Sequence, residues 1–395
     1  MNEKPLLRLP PLSLYVHIPW CVRKCPYCDF NSHEAGDKLD ETSYVAALMA
    51  DLEREPDVTR QREIKSIFFG GGTPSLFSTE SIDNIIAGIR HTANLAADAE
   101  ITLEANPGTF EQQKFTDFRT AGINRLSIGI QSFNDDKLNK LGRIHNREEA
   151  IKAIETARAA GFDNINLDLM FGLPGQSLRE AAEDVILACD FAPAHISHYQ
   201  LTIEPNTWFH KHTPVLPEAD LIWDMQQQCH DLLNSNEYRQ YEVSAFSRTG
   251  KQCRHNMNYW TFGDYIGIGA GAHGKVTSTN SSTIQRRWKQ RQPAAYIASA
   301  QRGDACSGTS ELNRADRLFD FLLNALRLKN GFTFDLFEQR TGISRAFLLD
   351  ACNTIDKDLL EISATGLTTS PRGFDFLNDV LQKFLATEER GDQSN

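Results

Sequence analysis

Three of the chain's eight cysteines, Cys21, Cys25 and Cys28, crowd into one short stretch, whereas Cys189, Cys229, Cys253, Cys306 and Cys352 are scattered. Thiolates so close together in sequence can grip a soft metal centre. Four would saturate an iron–sulfur cube, while three leave one iron open to a small ligand, much as a catalytic zinc keeps a free position. Spacing alone leaves two other readings open. One is structural zinc, with His33 or His17 as fourth ligand. The other is three unligated thiols packed as small apolar side chains.

A second candidate is Gly70-Gly71-Gly72-Thr73-Pro74-Ser75, directly after the β-rich run Ile64 to Phe69. It lacks the Gly-Lys-Ser/Thr ending of a phosphate loop, which excludes a nucleoside triphosphatase of that type. Gly172-Leu173-Pro174-Gly175 reads as a turn.

The elements that must position these residues alternate. Strands are predicted at Leu12–Ile18, Ile64–Phe69, Glu100–Ala105, Arg125–Gln131, Asn164–Phe171 and His195–Thr202, with one more at Tyr241–Ser247. Helices are predicted at Ser43–Glu53, Thr79–Arg90, Glu111–Thr120, Arg147–Ala160, Ser177–Ala188 and Ala219–Asn234. Repeated strand–helix units imply right-handed crossovers and a parallel sheet, here curved like a barrel, with chemistry at the C-terminal ends of the strands. The unusual residues obey that rule. The cysteines follow the first strand and the glycines the second; Glu104 and Gln131 end the third and fourth, and Asp168 lies in the fifth. His195 and His198 on the sixth read as partly buried barrel histidines. Residues 248–310, rich in Gly, Ser, Thr and Asn, read as irregular. From Glu311 the pattern turns helical, with an apolar stripe at Leu318, Leu322 and Leu326, a hairpin-like run Leu360–Ser370 and a frayed polar tail from Thr387.

Lys and Arg total 41 against 52 Asp and Glu, a formal charge of -11, so bulk electrostatics argue against a nucleic-acid partner. The local exception is Arg286-Arg287-Trp288-Lys289-Gln290-Arg291, which could meet carboxylates or anionic lipid, or simply be a solvated strand. The composition excludes disorder, collagen and coiled coil, and the length suffices for a core without disulfide staples. No apolar run reaches the roughly 20 residues of a membrane span. Arg8, Pro10, Pro11 and Pro19 spoil a signal peptide. A cytoplasmic location is therefore expected, where cysteines serve as thiols or metal ligands.

The stretch from Tyr15 to Phe30, Tyr-Val-His-Ile-Pro-Trp-Cys-Val-Arg-Lys-Cys-Pro-Tyr-Cys-Asp-Phe, resembles the cluster loop of the radical S-adenosylmethionine superfamily, and Gly70 to Ser75 resembles its glycine-rich segment. The resemblance implies an α/β fold, a partial (β/α)6-type barrel over residues 1–247. A connecting region, 248–310, would lead to a C-terminal helical or winged-helix-like domain, 311–395. It further implies a [4Fe–4S] cluster on Cys21, Cys25 and Cys28, with S-adenosylmethionine on the open iron. The reduced cluster would split the sulfonium–carbon bond to give a hydrogen-abstracting adenosyl radical. Gly71, Gly72 and Thr73 would contact the methionine moiety and Glu104 its ammonium or the ribose. Tyr15, Gln131, Arg143 and Asp168 would complete the cofactor contacts.

Four further runs resemble the oxygen-independent coproporphyrinogen III oxidase-like branch of that superfamily. They are Glu104 to Gly108, Leu126 to Phe133, Leu167 to Met170 and Tyr199 to Thr207. His255-Asn256-Met257-Asn258-Tyr259-Trp260 resembles the HNxxYW motif of the branch's haem chaperones. This implies haem binding and delivery to haem-accepting proteins, membrane respiratory enzymes among them. It also implies peripheral contact at the inner face of the membrane, and a homodimer. His255 would be the axial ligand and Cys253 a weaker candidate, while from the residues alone a loop histidine capped by Asn256 reads as well. The alternative function is coproporphyrinogen III dehydrogenation. Two departures count against it. The dehydrogenase carries a fourth cysteine where Phe30 stands, and it has a long segment ahead of the position of Tyr15.

Overall fold

The computed structural model describes residues 6–36, 39–108 and 113–391, without the side chains of 56, 57 and 386–391. Its centre is a twelve-stranded sheet. Leu12–Ile18, Ile64–Gly71, Leu95–Ala105, Arg125–Gln131, Ile165–Phe171 and His195–Gln200 run parallel in that order. The curved sheet is the expected partial barrel.

Each strand alternates. Leu12, Leu14, Val16 and Ile18, then Ile67, Phe69, Leu103, Ile128, Leu167 and Ile196, form one core with the surrounding helices. The intervening side chains are largely polar and meet one another inside the barrel, as Ser13 and Ser66 do at 2.8 Å. This is the period of two that a strand imposes. The helices carry the complementary period. Ser78 caps Thr79–Thr92, whose Ile82, Ile85, Ile86 and Ile89 are buried. Capping boxes Asn146/Glu149 and Ser177/Glu180 start Arg147–Ala159 and Leu178–Asp190. Of the helix expected at Glu111–Thr120, residues 111 and 112 lie outside the described residues, and the observed helix is Phe115–Ala121.

Several expectations need correction. The single strand at Tyr241–Ser247 is two, Arg239–Glu242 and Ala245–Ser247, paired antiparallel around a register shift. The segment read as irregular is well ordered. It holds the helix Arg254–Trp260 and the strand Asp264–Ile268, parallel to the first strand. His273–Ser278 and Thr283–Lys289 then extend the sheet antiparallel, as does Cys306–Glu311 beyond them. Its Gly and Ser content hid strands whose stability comes from neighbours rather than from propensity. The tail from Thr387 continues the helix Leu377–Gly391, and 392–395 lie outside the described residues.

The helix Arg254–Trp260 packs against the N-terminal ends of the barrel strands. Its His255 backbone donates to Glu100 and its Arg254 pairs with Asp98. A second core begins near Leu312 and joins Phe321, Phe332, Phe337, Leu348 and Val380 beneath a three-stranded sheet. Phe262 and Ile284 from the main sheet share it.

Candidate functional site

The loop after the first strand folds on itself. Trp20–Cys21 pairs with His33–Glu34. The Cys28 N–H donates to the Cys25 carbonyl, and Lys24 Nζ donates to the carbonyls of Phe30 and Ser32. Asn31 then ties the loop to the carbonyls of Ala270 and Arg291. Cys21, Cys25 and Cys28 are thereby held as half-buried free thiols. Burial raises the Cys21 and Cys28 thiols above their ordinary range.

Opposite them, the second strand ends in backbone that only glycine fits. Gly71 has φ +116°, and a Cβ there would stand 2.4 Å from the His17 ring; one on Gly72 would stand 2.5 Å from the Trp20 carbonyl oxygen. The next two strands deliver Glu104 and Gln131. The Gly71 N–H donates to Glu104 at 3.1 Å. Gln131 adopts φ 68°, a left-handed conformation rare for its type, and its Oε1 accepts from the Tyr199 hydroxyl at 2.8 Å. Such strain clusters where surroundings enforce it. Arg143 reaches over from the other side. It donates to Cys25 Sγ at 3.5 Å, to Asn106 Oδ1 at 2.6 Å and to the Gly129 carbonyl at 3.0 Å, while its buried Nε has no partner among the described residues.

Cys21, Cys25, Cys28, Gly71, Gly72, Thr73, Glu104, Gln131, Arg143 and Asp168 line one cavity of about 310 Å3. Its electrostatics are unsettled in a useful way. Burial, and then the charge of Asp168, push Glu104 up to about 8. Burial also raises Asp168, against hydrogen bonds from Asn166, Ser197 and Ser127. The cavity thus joins three thiols to two buried carboxyls, Glu104 with one backbone donor and Asp168 held by side-chain donors.

Tyr15 and His255 fall outside this cavity. Tyr15 lines a neighbouring one, its hydroxyl 3.0 Å from His17 Nδ1. His255 is 1% exposed, with Nδ1 on the Ser66 hydroxyl and Nε2 on the Tyr259 hydroxyl, each at 3.1 Å. Burial and the Arg125 charge lower it to about 3, so the ring is neutral. Cys253 is buried and donates to Glu100. Asn106, Tyr199, Tyr27 and Ser127 also line the thiol cavity. All four lie in runs that carry the resemblance, Tyr27 in the cluster loop, Asn106 after Glu104, Ser127 in Leu126 to Phe133 and Tyr199 at the head of Tyr199 to Thr207, but the sequence assigns none of them a contact role.

The residues fit the groups implied. An open cluster asks for three thiolates and no fourth, which is what the wall offers. S-adenosylmethionine asks for carboxylates and backbone amides beside them, which Glu104, Asp168 and the glycine run supply. Zinc is fitted less well. His17 spends Nε2 on the Asn31 carbonyl at 2.9 Å and Nδ1 on Tyr15, whereas His33 keeps a buried Nε2 with no partner among the described residues. Among the described residues, no three His, Cys, Asp or Glu side chains gather round one point as a single ion requires.

Comparison with known proteins places the chain in a family. Residues 15–188 match the model of the radical SAM superfamily, and residues 312–376 that of the HemN C-terminal domain. Heme chaperone HemW of Haemophilus influenzae is 47% identical over 386 residues, covering 96% of this chain and 100% of the relative. Heme chaperone HemW of Escherichia coli is 46% identical over 389 residues, with the same coverage. The solved structure of coproporphyrinogen III oxidase (HemN) from Escherichia coli, described as a radical SAM enzyme, superposes with TM-score 0.80 at 22% identity. It spans 95% of this chain and 90% of its own. That likeness bears on the fold.

Proposed function

The chain belongs to the radical SAM superfamily and, within it, to the HemW family, and from that membership we propose that it binds haem and hands it to haem-requiring proteins. In this reading Cys21, Cys25 and Cys28 would hold a [4Fe–4S] cluster, and the glycine run, Glu104 and Asp168 would hold S-adenosylmethionine beside it. The observation that carries it is the meeting, in one cavity at the C-terminal ends of parallel strands, of three free thiols with the buried carboxyls of Glu104 and Asp168.

When bound, the cluster would supply an electron and an open iron. The chain's own residues do the rest. Arg143 offsets thiolate charge at Cys25 and is itself braced by Asn106. Glu104 and Asp168 line the cavity and would accept a cationic ammonium, whose arrival would favour their ionised forms. Gly71 and Gly72 let a ligand approach the backbone closely. Gln131, held by Tyr199, orients an amide at the rim. Among the described residues no helix is long and apolar enough to cross a membrane. Acceptors among membrane respiratory enzymes, peripheral contact at the inner face and homodimerisation belong to the same proposal.

Oxygen-free purification with iron, sulfide and haem quantitation tests it. The expected product is brown, contains acid-labile sulfide and takes up added haem. Cys25→Ser should lose most of the iron. A colourless preparation without sulfide would overturn the cluster. Formation of protoporphyrinogen from coproporphyrinogen in anaerobic turnover would favour the dehydrogenase instead.

A further inference from the structure

A second cavity of about 480 Å3 opens beside the first and shares Phe30, Gly71 and Glu104 with it. Its size falls within the ~300–1,000 Å3 of ligand clefts. The thiols do not line it, and three features of its own walls point to one kind of ligand.

The first is aromatic surface. Tyr259 and Tyr265 meet edge to face at 4.5 Å, and Phe30 is 61% exposed at the partition between the cavities. An aromatic side chain so exposed on a cavity wall offers a face to a flat partner. The second is His273, exposed at the start of its strand. Among the described residues neither of its ring nitrogens has a hydrogen-bond partner, in contrast to His255, whose two are both taken. The third is Arg291. The rest of the basic run is neutralised, Arg286 by Asp320 at 2.7 Å, Arg287 by Glu55 at 2.7 Å and Lys289 by Asp51 at 2.6 Å. Among the described residues Arg291 has no carboxylate partner, and it is one of the residues lining the cavity.

A free imidazole, a free guanidinium and exposed aromatic faces complement a flat metal chelate that carries carboxylates. We propose that this second cavity is where haem sits, with His273 as iron ligand, Arg291 on a propionate and Phe30, Tyr259 and Tyr265 against the macrocycle. His255 is then a positioning residue, fixing Tyr259 from beneath. The inference rests on the haem-binding reading above and assigns its site.

The test is titration of the full-length chain with ferric haem, followed by Soret absorption. His273→Ala should weaken binding about tenfold and abolish the histidine-ligand signature. His273→Met should keep haem but replace that signature with a thioether's, which a merely structural role would not do. Arg291→Glu should weaken binding about two- to fivefold with the signature unchanged. His255→Asn should keep the histidine-ligand signature, because the His255 ring nitrogens are spent on Ser66 and Tyr259, while binding weakens about twofold as Tyr259 loses its brace. Both new positions are exposed, so folding is not at stake. If His273→Ala binds haem with the affinity and spectrum of the parent, the assignment is wrong while the haem reading stands. If the parent chain takes up no haem, both fall.

Discussion

Two buried carboxylates sit at opposite ends of the barrel and behave in opposite ways. Asp264, at the lower end, accepts from Arg62 at 2.8 Å, from Lys275 at 2.9 Å, and from Thr277 through its N–H at 2.9 Å and its hydroxyl at 2.8 Å. Burial alone would raise it, but the charges of Lys275 and Arg62 and the Thr277 bond hold it below the usual carboxylate range. Glu104, at the upper end, has a single backbone donor and a like charge nearby, and rises to about 8. The same fold satisfies one carboxylate fully and leaves the other short of partners. The lower end is a joint between the barrel and the C-terminal unit. The upper end leaves a carboxyl facing a cavity with one backbone donor.

The largest test of that contrast is Asp264→Asn. It leaves Lys275 and Arg62 buried against a neutral amide and should cost on the order of 3–5 kcal/mol in urea unfolding at pH 7. A loss under about 1 kcal/mol would mean the joint is held by packing alone. Glu104→Gln should act in the other direction. A folded pKa of about 8 against an ordinary 4.5 means its contribution is fully present below 4.5 and lost as pH rises through 8. At pH 7 the parent therefore bears a penalty on the order of 3 kcal/mol that Gln removes. The variant should be more stable at pH 7, near parity at pH 5, and poorer at retaining S-adenosylmethionine. Equal stability at both pH values would show that Glu104 is not underpaired.

How much of this the sequence shows depends on separation along the chain. The thiols are legible because all three lie in one loop, and Glu104, Gln131 and Asp168 because strand–helix alternation places them at or near strand ends. The Asp264 joint is illegible because Arg62 lies 202 residues away from it. The basic run looks free for the same reason, since Glu55, Asp51 and Asp320 reach it from other elements. His255 shows a subtler limit. Its motif is visible, but its burial follows from the helix inserting against Ser66 and Glu100, a tertiary event that no local pattern encodes.

One residue strains the contrast and so sharpens it. His198 is buried with no partner on Nδ1, as underpaired as anything in the thiol cavity. Yet it faces the helix layer, stacked on Phe171 at 4.6 Å and near His230 of the helix Ala219–Ser235. Underpairing therefore marks a receptor only where a cavity adjoins it; at His198 it is a cost that packing tolerates. Burial, and then His230, lower this imidazole to about 3. The stability of the neutral ring is thus present above 6.5 and lost as pH falls toward 3, because the unfolded chain takes up a proton that the folded one refuses. His198→Phe keeps the stacked shape and removes the titration. It should be near neutral at pH 7 and better than the parent by about 2 kcal/mol at pH 5, read from paired urea curves. Haem and iron content should not change. A variant that gains nothing on acidification would mean that His198 finds a proton partner in solution, and one that loses iron would mean that the site extends through the sheet to the helix layer.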